Sequence, residues 1–148
     1  MFDPKKVLVA TDFSNFAEKV LETAESIATK YNASVYLLHV VDQNVSKSSD
    51  DYNLPDEVVE RYKEQGMKNS FEIIKGQTEK LKSKGIETEP VVMAGNPAEV
   101  ILSEQAAKGA DVIVMGSHGK TGLTRYMLGS VAEKVIRHAT VPVLVVRA

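Results

Sequence analysis

Two short stretches of this chain carry side chains whose types and spacing could do chemistry. The longer is Gly116 to Ser130, GSHGKTGLTRYMLGS, where Gly116, Gly119, Gly122 and Gly129 are interspersed with His118, Lys120 and Arg125 and no acid appears. The shorter is Ala10, Thr11 and Asp12, where an apolar run breaks into polar residues. Glycines let a backbone approach a ligand closely or take positive φ, and Ser130 stands where a helix would open with free N–H groups that favour phosphate. The whole chain has 18 Lys and Arg against 20 Asp and Glu, a net charge of −2, so the positive charge of the longer segment is local. These are the parts of a phosphate cradle and suit an anionic ligand.

Two familiar cradles fail on counting. A Walker loop ending in Gly119, Lys120 and Thr121 needs a glycine where Val114 stands, and no G-x-G-x-x-G follows the first apolar run. What stands here is Gly116-x2-Gly119-x9-Gly129-Ser130. Other chemistries are equally short of parts. The absence of Cys removes thiolate catalysis, Cys-ligated zinc and iron–sulfur clusters, and gives no hint of secretion. Three His remain for metal or general-base work, with His39 read as a packed strand residue and His138 as a charge near a helix C-terminus. G-x-S-x-G is missing, and no carboxylate pair stands at one strand end for acid and base catalysis. A phospho-acceptor receiver domain would end its third strand in Asp, where Met93, Ala94 and Gly95 stand.

The elements that must position these segments follow from the hydrophobic pattern. Lys6 to Ala10 is a β-branched strand, and Ser14 is a candidate N-cap for a helix with Ala17, Val20, Leu21, Ala24, Ile27, Ala28 and Tyr31 inward. Ser34 to Val41 is apolar almost throughout, as in a parallel strand covered on both faces. Residues 43–55, rich in Ser, Asp and Asn, read as a surface loop. A long helical pattern runs from Asp56 to Lys84 with Val59, Tyr62, Phe71, Ile74 and Leu81 inward, and Gly66 and Gly76 are points where it can bend or split.

Pro90 to Ala94 is a strand whose proline suits a strand start or a sheet edge. Asn96, Pro97 and Glu99 form the signature of a helix start, with Gly109 as its stop after Lys108. Val112 to Met115 is a fourth strand. Val131, Ala132, Val135, Ile136 and Ala139 mark a last helix, and Val143 to Arg147 a last strand. Strict alternation of strand and helix predicts one α/β domain over residues 1–148, an open sheet of five parallel strands with right-handed crossovers and helices on both faces. In such sheets ligands bind beyond the carboxyl ends of the strands, where the strand order reverses. Both chemical segments fall at strand ends.

With VLVATDFS, LLHVVD, GSHGKTG, LGSVAEKVI and PVLVV in place, the whole chain resembles the ATP-binding branch of the universal stress protein family, whose motif is G-x2-G-x9-G-(S/T). The resemblance implies a Rossmann-like fold with ATP at the sheet's carboxyl edge, and commonly a homodimer. By motif it implies that Ala10 and Val40 line an adenine pocket, with Thr11 between the wall and Asp12, and Asp12 beside the adenosine. Gly116, Ser117, His118, Gly119, Lys120, Thr121 and Gly122 would wrap ribose and phosphates. Gly129, Ser130, Val131 and Ala132 would present backbone to the phosphates, and Mg2+ or Mn2+ would be held through the phosphates. Many relatives have Pro where this chain has Ala10, which predicts a softened pocket wall with binding retained.

Plainer readings stand beside these. Asp12 can cap a helix, His118, Lys120 and Arg125 can be solvated loop side chains, and Met115 is core or pocket wall. Three function classes follow: a nucleotide-binding regulatory module in a stress response, a slow ATP hydrolase, and a structural dimer with a vestigial site. The first is favoured by the glycine spacing and local charge. The apolar Val143 to Val146, if it is a sheet edge, invites a second copy of the chain. A pI near 5.9 argues against a nucleic-acid partner. The N-terminal apolar run is too short for a signal peptide or membrane span, so the expected location is the cytoplasm.

Overall fold

The computed structural model describes residues 1–14, 16–42, 55–118 and 127–147. Five strands alternate with four helices: β1 (Lys6–Ala10), α1 (Ala17–Tyr31), β2 (Ser34–Asp42), α2 (Asp56–Ser83), β3 (Thr88–Gly95), α3 (Pro97–Lys108), β4 (Val112–Gly116), α4 (Ser130–His138) and β5 (Val143–Val146). All strand pairs are parallel, in the order β3-β2-β1-β4-β5. The chain therefore builds outward from β1 on one side, then returns to β1's other side and builds outward again. That reversal lies between β1 and β4.

The period-two alternation of strand side chains splits the core in two. Val7, Val9, Val35, Leu37, Val112 and Val114 face α1 and α2, where Val20, Leu21, Ala24, Ile74 and Leu81 cover them. Leu8, Tyr36, Leu38, Ile113 and Met115 face α3 and α4, covered by Ala98, Ile101, Ala132 and Val135. The central strands are apolar on both faces because both faces are covered.

Local chemistry sets most boundaries as the sequence predicts. The Asn96 side-chain oxygen accepts from Glu99 N at 3.2 Å, Pro97 opens α3, and Gly109 ends it at φ 66°. β3 is an edge strand, which accommodates Pro90 inside it. Four expectations need correction. Ser14 does not cap α1, which begins at Ala17; instead its Oγ accepts from Phe16 N at 3.3 Å in a preceding turn. α2 is one uninterrupted helix through Gly66 and Gly76. Tyr62 and Phe71 are exposed at 70% and 45%, because α2 buries side chains only from Ile74 onward. Ile136 on α4 also faces outward. Several strands extend a residue or two beyond the predicted limits, while β5 stops at Val146.

Candidate functional site

β1 ends before its neighbours, β2 running on to Asp42 and β4 to Gly116. Ala10 stands opposite Leu38 on one side and Met115 on the other, and Thr11 N donates to the Leu38 carbonyl at 2.9 Å before the chain turns away. Where β1 and β4 send their connections to opposite faces, a cavity of about 480 Å³ opens. Ala10, Thr11 and Asp12 line it from β1, Val40 from β2, and Met115, Gly116, Ser117 and His118 from β4. Gly129, Ser130, Val131 and Ala132 close it from the start of α4. Twelve residues singled out in the sequence thus meet at one place. Gly119, Lys120, Thr121 and Gly122, with Arg125, lie outside the described residues.

Each lining segment is held by its own backbone. The Asp12 carboxylate accepts from Ser14 N at 2.9 Å, closing a short turn ahead of α1 rather than capping the helix itself. Phe13 follows at φ 60°, a left-handed conformation that is strained for a bulky side chain, and its ring stacks on His39 with centroids 3.9 Å apart. The His39 Nδ1–H donates to the Thr11 carbonyl at 2.7 Å, so stack and hydrogen bond together fix the end of β1.

On the other side, Ser117 N donates to the Val146 carbonyl at 2.9 Å, and the Ser117 carbonyl accepts from Gly129 N at 2.8 Å. Ser117 thereby ties β5, the end of β4 and the start of α4 into one unit. Its Oγ also shares a 2.8 Å hydrogen bond with His118 Nδ1. His118, for which a solvated loop side chain is the plainer reading of the sequence, is 6% exposed.

The electrostatics are those of an anion receptor at one end. Glu133 N is the first amide of α4 to bond back, to the Gly129 carbonyl at 2.9 Å, so the amides of Ser130, Val131 and Ala132 have no acceptor within the helix. They concentrate the positive end of the helix dipole. Ala10, Val40 and Met115 supply an apolar wall. Two buried side-chain atoms beside the cavity, Thr11 Oγ1 and His118 Nε2, have no hydrogen-bond partner among the described residues. Among the described residues no cluster of three or more His, Asp or Glu could hold a metal ion.

Sequence reasoning missed several lining residues. His39 and Asp42 on β2 could have been found from strand alternation and length, and Asp42 adds a second carboxylate to an edge where Asp12 alone had been counted. Pro97 and Ile101 enter because Asp42 pairs with Gly95, which brings the start of α3 level with the end of β2. Gly66 and Ser70 reach the cavity from α2, a contact that no local pattern announces.

An open, doubly wound α/β sheet with a crevice at its switch point defines a class of ligand-binding domain. This chain belongs to the universal stress protein family, whose model matches residues 4–147. It is 35% identical to universal stress protein MJ0577 of Methanocaldococcus jannaschii, over 97% of this chain and 94% of that protein. The solved structure of MJ0577 superposes with a TM-score of 0.86 at 33% identity, covering 99% of this chain and 98% of the other. Two more distant structures share the fold. A universal stress protein solved with cAMP gives a TM-score of 0.72 at 21% identity, covering 99% of this chain and 98% of that one. The protein of Archaeoglobus fulgidus solved with dAMP gives 0.64 at 24%, covering 99% of this chain and all of that one. Among the described residues, no helix is long and apolar enough to cross a membrane.

Proposed function

We propose that this chain binds ATP in the crevice between β1 and β4 and acts as a nucleotide-dependent regulatory module in a stress response. The observation that carries the reading is the junction of an apolar slot with the amides of Ser130, Val131 and Ala132, which have no acceptor within α4. A purine fits the first and phosphates the second. Family members solved with cAMP and dAMP support an adenine nucleotide as the ligand class.

In this reading Ala10, Val40 and Met115 flank the base, and Asp12 lies beside the adenosine. Thr11, Gly116, Ser117 and His118 surround the ribose and phosphates, together with Gly119, Lys120, Thr121 and Gly122. Gly129 keeps side-chain bulk away from the phosphates. A Mg2+ or Mn2+ ion is held through the phosphates, its charge offsetting theirs. Mass spectrometry of ligand released from freshly purified protein should show an adenine nucleotide, and calorimetry should show ATP binding; neither ligand nor heat would remove the reading.

The nucleotide is held rather than rapidly hydrolysed. Phosphoryl transfer to water requires a group that positions the nucleophile, and Asp12, beside the adenosine in this reading, stands away from the γ-phosphate. Sustained turnover that disappears in Asp12→Asn or Asp42→Asn with binding preserved would replace the switch with an ATPase.

The protein works as a cytoplasmic homodimer. β5 is an edge strand with Leu144 40% exposed, and antiparallel pairing of Val143 to Val146 with its two-fold mate would satisfy both edges. Ultracentrifugation should give twice the 16.2 kDa chain mass, and Val145→Pro should shift it toward monomer.

A further inference from the structure

The inward stripe of α2 runs through Gly66, Ser70, Ile74, Thr78 and Leu81, the spacing that places side chains on one helix face. Ile74 and Leu81 are buried against the sheet. At Gly66, on the same stripe two turns before Ile74, a Cβ would meet no heavy atom of the described residues within 4 Å. An inward position with nothing opposite it faces empty space, and here that space is the cavity, which Gly66 and Ser70 both line. Local backbone geometry does not call for glycine there. It is the poorest helix former after proline, the backbone is helical, and positive φ occurs at Gly85, Gly95 and Gly109 instead.

We infer that Gly66 is a size-determining position of the ligand site: its missing side chain leaves room for the nucleoside end of the bound nucleotide. This rests on the nucleotide reading above. The assignment to the nucleoside end follows from the layers. α4, whose amides suit the phosphates, packs on one face of the sheet, and α2 packs on the other. The α2 wall is therefore set apart from the phosphate donors and faces what remains of the ligand, the base and ribose. Ser70, one turn further along, adds a second small side chain to the same wall.

Gly76 supplies a matched control. It lies in the same helix, a Cβ there also meets nothing within 4 Å, and it does not line the cavity. Gly66→Leu, Gly66→Ala and Gly76→Ala should each raise the melting temperature, since each replaces glycine inside a helix. Calorimetry with adenosine and with ATP then separates them. Gly66→Leu should weaken both ligands by the same factor, about ten- to a hundredfold, as expected for overpacking a filled site. Gly66→Ala should weaken both less, and Gly76→Ala should leave both unchanged. Ser70→Leu repeats the test at a second position of the wall. If wild type binds ATP while Gly66→Leu and Ser70→Leu bind adenosine undiminished, this inference is overturned and the nucleotide reading stands. Loss of affinity for ATP but not adenosine would put the wall at the phosphate end and overturn it too. Wild type that binds neither ligand removes the nucleotide reading, and the inference with it.

Discussion

The two ends of the sheet are made from the same strands and treat their polar groups in opposite ways. At the amino end the Asp111 carboxylate accepts from Lys5 N and Lys6 N at 2.7 and 3.0 Å, stitching β1 to β4. Asp111 N returns a bond to the Lys6 carbonyl, Ser34 N bonds Lys5, and Val35 N bonds Glu87. At the carboxyl end Thr11 Oγ1 and His118 Nε2 are buried without partners among the described residues, Phe13 is held at positive φ, and a cavity interrupts the packing. A buried polar atom without a partner lowers stability, and natural proteins make nearly all such bonds. Bonded amides at one end and open valence at the other separate the part of the molecule that ties the strands together from the part that, in the proposed function, receives a ligand.

Substitutions at the two ends should therefore fail in different assays. The largest effect is expected at the ligand end, where Gly129→Asp puts bulk and negative charge at the start of α4. ATP affinity measured by calorimetry should fall by more than about a hundredfold, or some 2.7 kcal/mol, while far-UV circular dichroism is unchanged. At the opposite end Asp111→Ala removes the acceptor of two amide hydrogen bonds. Urea denaturation should show a loss of about 1–2 kcal/mol, discounted because the carboxylate is exposed, with ATP affinity unaltered.

Tyr36 sharpens the contrast from within the saturated part. Its hydroxyl donates to a Glu104 carboxylate oxygen at 2.6 Å, and burial first, then that bond and the nearby negative charges of Glu104 and Glu89, push its pKa above the ordinary range. The folded state therefore holds this proton more tightly than the unfolded state. Its contribution to stability is full below about pH 10, the ordinary tyrosine value, and is lost as pH rises beyond it. Tyr36→Phe should remove that alkaline loss at a cost of about 1 kcal/mol at neutral pH, read from denaturation curves across pH. The smallest effect belongs to Thr11→Val. Replacing a buried hydroxyl that has no partner among the described residues should raise stability by about 0.5 kcal/mol, so a loss would show that the hydroxyl is not idle.

The legible and illegible parts of the sequence divide along physical lines. β1, β2 and β4 were readable because strands covered on both faces must be apolar throughout, and α3 because Asn96, Pro97 and Gly109 each solve a local backbone problem. Those constraints act over a few residues. Tyr62 and Phe71 misled because helical periodicity shows which side chains share a face without showing which turns of the helix are covered. Ser14 misled because the Asp12 turn and the reversed φ of Phe13 delay the helix. The strand-end residues of the cavity could be placed from the motif alone. Gly66 and Ser70 could not, since their role depends on which distant segment packs over the crevice.

The strand order has a consequence for the growing chain. β1 is synthesised first and ends in the middle of the sheet, but its neighbour β4 emerges only after β2, α2, β3 and α3. During that interval α1 and α2 can cover one face of the three-strand intermediate, while Leu8, Tyr36 and Leu38 on the other face await α3 and α4. An uncovered apolar face beside an open strand edge is a template for aggregation at the ribosome. The crevice has no wall at Gly129 until α4 has formed, so a ligand that needs this wall can be held only after the four strands from β1 to β4 have been made.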